Sequence, residues 1–291
     1  MSTAALTPNP TAAEAGAPAR SGFDRAVMAL LVLLALLWML PLLWVLALSF
    51  KPNEFLMGRT GVFLGGPYTL ENYTDILGTS MVFRWLANSA GVALAQTAGV
   101  LVLSSLAGYG FARTEFPGRK LVFVLVMFGL AIPSQTLFIP LHRMFAHAGL
   151  QNTFAGLVLP GLAGPFGVYL MTQYFRAIPA ELEEAAMLDN ASRLKTFLFV
   201  ILPLTLPAQA TLAIFTFLGA WNDYLWPLVI ATKPEMYTLT RGLASTQTNF
   251  AQSEGLGFLM AQAVFAGLPV LTVYLFFQKY LVSAVAGTGR R

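Results

Sequence analysis

A short polar segment in the second half of the chain concentrates acidic residues. Four of the thirteen aspartates and glutamates lie within the nine residues from Glu181 to Asp189. Pro179 suits the first position of a helix, and carboxylates in the first turns are stabilised by the helix dipole, each by about 0.3–1 kcal/mol. Asn190 tolerates the left-handed backbone that ends helices, so we expect a turn there and a second helix from about Ala191. The pattern predicts a helix–turn–helix that exposes small and acidic side chains to another surface.

Residues for catalysis and metal binding are scarce. The chain has no cysteine and two histidines, which excludes thiolate sites and disfavours a metal site built from histidine. Only Lys195-Thr196 resembles the end of a phosphate-binding P-loop, and Leu194 stands where that motif needs glycine. No basic run exceeds two residues, so nucleic-acid binding has no support. We expect no catalytic residue, no metal, no bound cofactor and no ATPase site in this chain.

Polar side chains inside apolar stretches are candidates for a solute pathway. Asp223 is the one acid within a predicted span, and ionisable groups at membrane depth are costly and commonly functional. Since the span ends near Ile230, an interfacial acid in an aromatic belt is an equally open alternative. Neutral polar groups beside aromatic rings suit an uncharged polyhydroxylated solute, although the same groups also hold helices together. The candidate pathway residues are Asn88, Gln135, Trp221, Asn222 and Asp223.

The composition indicates that lipid surrounds most of the chain. Hydrophobic residues make up 57% of the 291 positions and charged residues 10%, whereas soluble proteins carry about 25% charged residues. The first 25 residues lack apolar periodicity and are predicted to be a disordered tail. Residues 26–50 carry no charge and as a helix would measure about 37 Å, more than the hydrocarbon core of about 30 Å. Further apolar stretches, each interpreted as one crossing, cover residues 86–111, 121–141, 154–175, 208–230 and 257–277.

Six crossings place both termini on the same side of the membrane. The two tails and the loops on their side hold 11 Lys and Arg residues, against 6 in the other loops. The positive-inside rule therefore predicts that both termini are cytoplasmic. We predict an all-α integral membrane protein with six transmembrane helices over residues 26–285, a cytoplasmic loop at about 176–207, and tails at 1–25 and 286–291.

Small residues and prolines within the spans indicate close packing and helix breaks. Small side chains at four-residue spacing form a ridge in the second span, which fits either a dimer contact or packing within the chain. Prolines in or near spans favour breaks, which are tolerated where they line a cavity or pack in protein. The ridge residues are Ala87, Gly91, Ala95 and Gly99, and the prolines are Pro41, Pro133, Pro140, Pro160, Pro165 and Pro269.

The sequence resembles a known family in several ordered blocks. Residues 184–191, Glu-Ala-Ala-Met-Leu-Asp-Asn-Ala, followed by Ile201-Leu202-Pro203-Leu204 and Pro207, resemble the EAA loop of permease subunits in binding-protein-dependent ABC importers. Residues 26–285 resemble more closely the second permease of maltose-type sugar importers. The additional blocks are Asn88-Ser89, residues 109–113 with 116–120, Ile132-Pro133 with Gln135 and Ile139-Pro140-Leu141, and residues 221–223 with 226–228.

The resemblance implies partners and a coupling role. In this family the EAA helix sits in a groove of the ATP-binding subunit, so that ATP is bound by the partner. The positions implied for that contact are Glu184, Ala185, Ala186, Asp189, Asn190 and Ala191. Asn190 replaces the family's usual glycine, and the turn should survive because asparagine also reaches positive φ. The implied assembly contains a second, different permease subunit, two ATPase subunits and an extracytoplasmic solute-binding protein, in a bacterial or archaeal inner membrane.

We therefore predict a permease subunit that forms half of the pathway of an ATP-driven importer for a sugar or polyol. The first alternative is a self-sufficient secondary transporter of a polar neutral solute, which would need intramembrane charges for ion coupling. Asp223 alone gives that alternative little support. A second alternative, a membrane-embedded enzyme, lacks a cluster of acids, bases or metal ligands in any span.

Overall fold

The computed structural model describes residues 22–56, 65–78, 81–246 and 255–286, with side chains as far as residue 276 and at residue 278. The helices in these ranges are α1 (Gly22–Ser49), α2 (Asn53–Leu56), α3 (Glu71–Gly78), α4 (Val82–Arg113), α5 (Arg119–Phe128), α6 (Phe138–His147), α7 (Phe154–Val158), α8 (Pro165–Ala177), α9 (Glu181–Leu188), α10 (Arg193–Thr196), α11 (Leu202–Leu204), α12 (Leu206–Asn222), α13 (Leu225–Ile230), α14 (Leu239–Thr246) and α15 (Gly255–Ala286). Short 3-10 segments cover Ser134–Leu137, Leu159–Leu162 and Pro234–Met236, and Phe197–Ile201 is a π-helix. No strand occurs in these ranges.

The described ranges hold three to five candidate membrane spans. Three helices, α1, α4 and α15, are long and apolar enough to cross a bilayer. Two further pairs of consecutive helical segments are long and apolar enough only when each pair is taken together. The pair Phe154–Leu162 and Pro165–Ala177 is bent by 46°, and the pair Arg193–Leu204 and Leu206–Asn222 is bent by 76°. The chain is thus a multi-pass helical membrane protein. The predicted tail boundary was wrong, because α1 begins at Gly22, and the rest of both predicted tails, apart from residue 286, lies outside the described residues.

The third predicted crossing, over residues 121–141, is not one continuous helix. The helix α5 ends at Phe128, and turns at Gly129 to Pro133 separate it from the 3-10 segment that precedes α6. Pro133 has no N–H to donate to a preceding carbonyl, and proline disfavours the helical conformation of the residue before it. The helices α5 and α6 have 10 residues each, about 15 Å, so neither can cross the hydrocarbon core alone.

The fifth predicted crossing, over residues 208–230, is likewise divided. The helix α12 ends at Asn222, and Asp223 has an extended backbone with φ −66° and ψ 126°. The helix α13 starts two residues later, at Leu225. Asp223 therefore lies in a break between two helices, and the predicted fifth crossing is not one continuous helix.

The helix α4 is the centre of the bundle. It packs along α8 and α12, while α1 lies against α15 and α15 against α12. Apolar side chains of α1 are exposed over most of its length, and only its last turn, at Leu48 and Ser49, is buried. We call the end of the bundle near Arg113 and α9 the α9 end, and the end near Val82 and α14 the opposite end.

The glycines of the small-residue ridge pack inside the chain. A Cβ atom added at Gly91 would lie 3.1 Å from the ring of Phe154, and one at Gly99 would lie 2.5 Å from Cδ2 of Leu162. Both neighbours belong to the segment that precedes α8. At these two positions the structure favours intrachain packing over the dimer contact, whereas Ala87 is exposed.

The side-chain amides of Asn53 and Asn72 join four elements at the opposite end. The Asn72 side chain on α3 donates to the carbonyls of Ser49 and Lys51, both at 2.9 Å. The Asn53 amide donates to Asn72 Oδ1 at 3.2 Å, and its oxygen accepts from the Phe258 N–H at 3.1 Å. These bonds fix the end of α1 to α2, α3 and the first turn of α15.

The backbones of α4 and α8 approach each other closely at Gly108. A Cβ at Gly108 would lie 2.7 Å from Cβ of Met171 and 3.0 Å from the backbone N of Thr172. Because the helices must separate to accept it, we expect Gly108→Ala to reduce stability by about 1–3 kcal/mol, seen as a lower melting temperature in detergent. Gly110→Ala is the matched control, since its nearest neighbour is Thr114 Oγ1 at 4.0 Å and alanine favours helices. Equal melting temperatures for the two variants would contradict the prediction.

Candidate functional site

The predicted helix–turn–helix lies between α8 and α12. The helix α9 ends in a Schellman motif, in which the Ala191 N–H donates to the Ala186 carbonyl and the Asn190 N–H to the Met187 carbonyl, both at 3.0 Å. Asn190 has a φ of 58°, which confirms the left-handed turn that the sequence predicted. The second helix starts at Arg193, slightly later than predicted, because the Ser192 hydroxyl caps it by accepting the Lys195 N–H at 3.4 Å.

The turn after α9 presents a mixed surface of small, polar and apolar side chains. Leu188 is 85% exposed and Leu194 is 62% exposed. Sequence reasoning missed both leucines, although large apolar residues in a polar loop were a visible signal. We call this patch the α9 surface. Its exposed members are Glu184, Ala185, Leu188, Asp189, Asn190 and Leu194, and Ala186 and Ala191 at its edge are half-buried.

Glu183 does not belong to that surface. Its carboxylate turns into the protein, where Oε1 lies 3.1 Å from Nε of Arg113 and Oε2 accepts the Tyr109 hydroxyl at 3.5 Å. Arg113 also donates to the carbonyl of Ile178, between α8 and α9. The prediction that the acidic cluster is exposed was therefore wrong for this member, because successive helix residues rotate by about 100° and Glu183 meets the end of α4.

Three aromatic rings form a cluster between α4, α8 and the π-helix, next to α9. Tyr109 on α4 lies 5.7 Å from Phe175 on α8 and 4.8 Å from Phe197 in the π-helix, measured between ring centroids. Phe175 and Phe197 are themselves 6.1 Å apart. The cluster joins the three elements on which α9 and α10 rest.

A bend that is fixed by hydrogen bonds connects α9 and α10 to α12. The Leu202 N–H donates to the Phe197 carbonyl, the wider spacing of a π-helix. The Gln209 amide donates to the Leu202 carbonyl at 2.8 Å and to Thr205 Oγ1 at 2.9 Å. Pro207 has no N–H, so the side chain of Gln209 supplies a donor at a bend where the helix ladder is incomplete. The 76° bend is therefore held by specific hydrogen bonds.

A second feature is a cavity of about 460 Å³ where several helix breaks converge. Its walls come from α4, the turn after α5, the break before α8 and the break after α12. Irregular backbone at membrane depth is tolerated where it lines a cavity. The polar lining residues are Gln96, Ser134, Asn222 and Asp223, with Phe138 and Trp226 among the aromatic ones.

Asp223 has two roles in this geometry. Its Oδ1 accepts the Trp226 N–H at 3.4 Å, so that the carboxylate caps α13, and its carbonyl accepts the Thr240 hydroxyl at 3.0 Å. The same residue lines the cavity beside Asn222. The pathway role and the interfacial alternative both stay predictions.

The other predicted pathway residues lie outside the lining of this cavity. Trp221 is buried and its indole donates to the Ala266 carbonyl at 3.2 Å. The Asn88 amide donates to the carbonyls of Glu235 and Tyr237, both at 2.9 Å, and Gln135 is exposed in its 3-10 segment. Their pathway role stays a prediction.

Gln96 on α4 also lines the cavity, although it is not among the predicted pathway residues. Its amide donates to the Leu157 carbonyl at 3.1 Å while the side chain lines the cavity. A Cβ at Gly161 would lie 2.4 Å from Oε1 of Gln96, so the glycine makes room for it. A polar residue on the central helix opposite a Pro-Gly pair was the available signal.

Comparison with known proteins gives consistent matches. Residues 101–287 match the family model of the binding-protein-dependent transport system inner membrane component. The arabinooligosaccharides transport system permease protein AraQ of Bacillus subtilis is 34% identical over 83% of this chain and 86% of its own length. The trehalose transport system permease protein SugB of Mycobacterium tuberculosis is 33% identical over 82% of this chain and 87% of its own. The structure of a bacterial ABC transporter involved in the import of the acidic polysaccharide alginate contains a chain that superposes with a TM-score of 0.78 at 25% identity, covering 91% of this chain and 99% of that one.

Proposed function

Because this chain belongs to the family of binding-protein-dependent transport system inner membrane components, we propose that it forms half of the translocation pathway of an ATP-driven importer for a sugar or polyol. The observation that carries the proposal is the α9 surface, an exposed patch of small, acidic and apolar residues beside a Schellman turn. Such a patch suits the groove of a separate ATPase subunit, which binds the ATP.

The proposed topology has six crossings with both termini in the cytoplasm. The three long helices and the two bent pairs account for five crossings, and we assign the sixth to α5 and α6 with the break between them. The charge bias of the loops supports this orientation, because the side that carries α9 has the larger share of Lys and Arg. This arrangement places the α9 surface in the cytoplasm of a bacterial or archaeal cell, where ATPase subunits are found.

The proposed coupling route runs from α9 to the cavity. We assign the ATPase contact to Glu184, Ala185, Ala186, Asp189, Asn190 and Ala191, and add Leu188 as its apolar anchor. Closure of two ATPase subunits on ATP would displace α9 and, through the held bend before α12, the helix that ends at the cavity. A second permease subunit would supply the other half of the pathway, and an extracytoplasmic binding protein would deliver the solute.

The chemistry of the cavity is consistent with a carbohydrate. Amide, hydroxyl and carboxylate groups can bond sugar hydroxyls, and the rings of Phe138 and Trp226 offer apolar faces for a sugar ring. Relatives named for arabinooligosaccharide and trehalose transport support this solute class. We place Asn222 and Asp223 in the pathway together with Gln96.

Purification of the tagged chain from its native membrane in mild detergent tests the function. We expect an ATP-binding subunit and a second permease to copurify. Leu188→Ser should lose the ATPase subunit, because burying a leucine contributes about 1.5–3 kcal/mol, or about tenfold to a hundredfold in affinity. Met144→Ser is the control, since Met144 is 63% exposed on α6, which shares no hydrogen bond or ion pair with α9 among the described residues.

The alternative predicts a different result. A secondary transporter would move solute in proteoliposomes that contain this chain alone, without ATP. Uptake under those conditions, with no ATPase subunit in the purified sample, would overturn the proposed function.

A further inference from the structure

The buried contact of Arg113 with α9 is separate from the α9 surface. Arg113 is the last residue of α4, and its side chain is 14% exposed, with 12% for that of Glu183. It contacts α9 through Glu183 and the turn before α9 through the Ile178 carbonyl. Tyr109, one helical turn earlier on α4, donates to the other oxygen of Glu183 at 3.5 Å. Two residues of α4 thus contact the two oxygens of the Glu183 carboxylate.

Stability alone does not explain such a pair. The desolvation of two buried charges can exceed their attraction, and well-packed apolar residues often replace buried ion pairs without loss. Here Nε of Arg113 and Oε1 of Glu183 lie 3.1 Å apart but have no hydrogen-bond partner, so the contact is electrostatic and not optimised for bonding. What the charges do supply is an electrostatic attachment at a defined point of each helix.

The position of the attachment links the two features described above. Arg113 and Gln96 lie 17 residues apart on α4, about 25 Å along a continuous helix. The helix α4 contacts α9 at Arg113 and lines the cavity at Gln96. The covalent route through α10 and α12 includes the π-helix and the 76° bend, whereas α4 is unbroken between these two points.

We propose that Arg113 is a positioning residue for transport, which makes α9 and α4 move together so that a displacement of α9 by the ATPase reaches the cavity at Gln96. This inference rests on the proposed function and adds a second, rigid route to the one through α12. It assigns the pair to coupling and not to ATPase binding, because both side chains are turned away from the α9 surface.

The test compares Arg113→Gln, Glu183→Gln and the double variant in the complete transporter, reconstituted with its ATPase subunits and binding protein. We expect all three to retain the ATPase subunit. The solute imported per ATP hydrolysed should fall by about fivefold or more in each single variant. The double variant should be no worse than the singles, since residues of one interaction are non-additive. Arg113→Lys should recover part of the ratio, and Arg176→Gln, a variant of an exposed arginine at the same end, should leave it unchanged.

The outcomes distinguish a failure of the inference about Arg113 from a failure of the proposed function. A purely structural role would reduce the amount of assembled transporter but leave the ratio of solute to ATP at the wild-type value, and that result would overturn the inference. A wild-type ratio in Arg113→Gln at full assembly would do the same. If no ATPase subunit copurifies with the wild-type chain, the proposed function itself fails.

Discussion

A transporter that carries Ala186→Trp is expected to reach the membrane and hydrolyse ATP but to import about tenfold less solute or lower still. Ala186 is half-buried at the edge of the α9 surface, and its carbonyl accepts the Schellman bond from Ala191. A large side chain would hold the ATPase away from the turn, and a misfit of about 1–3 kcal/mol changes an equilibrium by roughly five- to a hundredfold. Uptake of labelled solute and ATP hydrolysis, measured on the same vesicles, check the prediction.

Ala146→Trp serves as the matched control for this variant. Ala146 is exposed on α6, and among the described residues no hydrogen bond or ion pair joins α6 to α9, so the same increase in volume should leave both rates unchanged. Uptake at the wild-type rate in Ala186→Trp would show that α9 does not seat against a partner, and the coupling assignment would have to be withdrawn.

Two substitutions of Asp223 should separate its roles as a helix cap and as a cavity residue. Asparagine caps helices about as well as aspartate, whereas alanine costs about 1 kcal/mol at such a position. We therefore expect Asp223→Asn to keep the melting temperature and Asp223→Ala to lower it. Both should reduce uptake by about tenfold or more, because hydrogen bonds to a charged group contribute about 1.5–3 kcal/mol.

Melting curves in detergent and the concentration dependence of uptake check the prediction together. The decisive variant is Asp223→Asn, in which the cap is retained and the charge removed. If its uptake equals that of the wild type, Asp223 is an interfacial structural acid, as the second alternative from the sequence holds.

Local features of the molecule follow from the sequence because their causes act over a few residues. Apolar runs long enough for a bilayer produced α1, α4 and α15 close to the predicted bounds. Asn190 adopts the positive φ expected of it, since backbone sterics at one residue decide that conformation. The sequence blocks around the turn also identified the family before any fold was known.

Breaks within the spans were harder to predict. The prolines indicated that breaks occur, but not that Gly129 to Pro133 would divide the third stretch while α1 continues through Pro41. Whether a proline ends a helix depends on whether neighbouring groups satisfy the backbone it leaves unpaired. That depends on packing between helices, which periodicity along one stretch does not contain.

The sequence by itself determined the lipid environment, the helical class, the turn at Asn190 and the family. The tertiary structure alone decided that Glu183 is buried on Arg113, that Gln96 and Asp223 line one cavity, and that Leu188 is exposed. The physical reason is range: propensity and hydropathy act between neighbours, whereas Arg113 and Glu183 are 70 residues apart and meet only because α4 packs along α8.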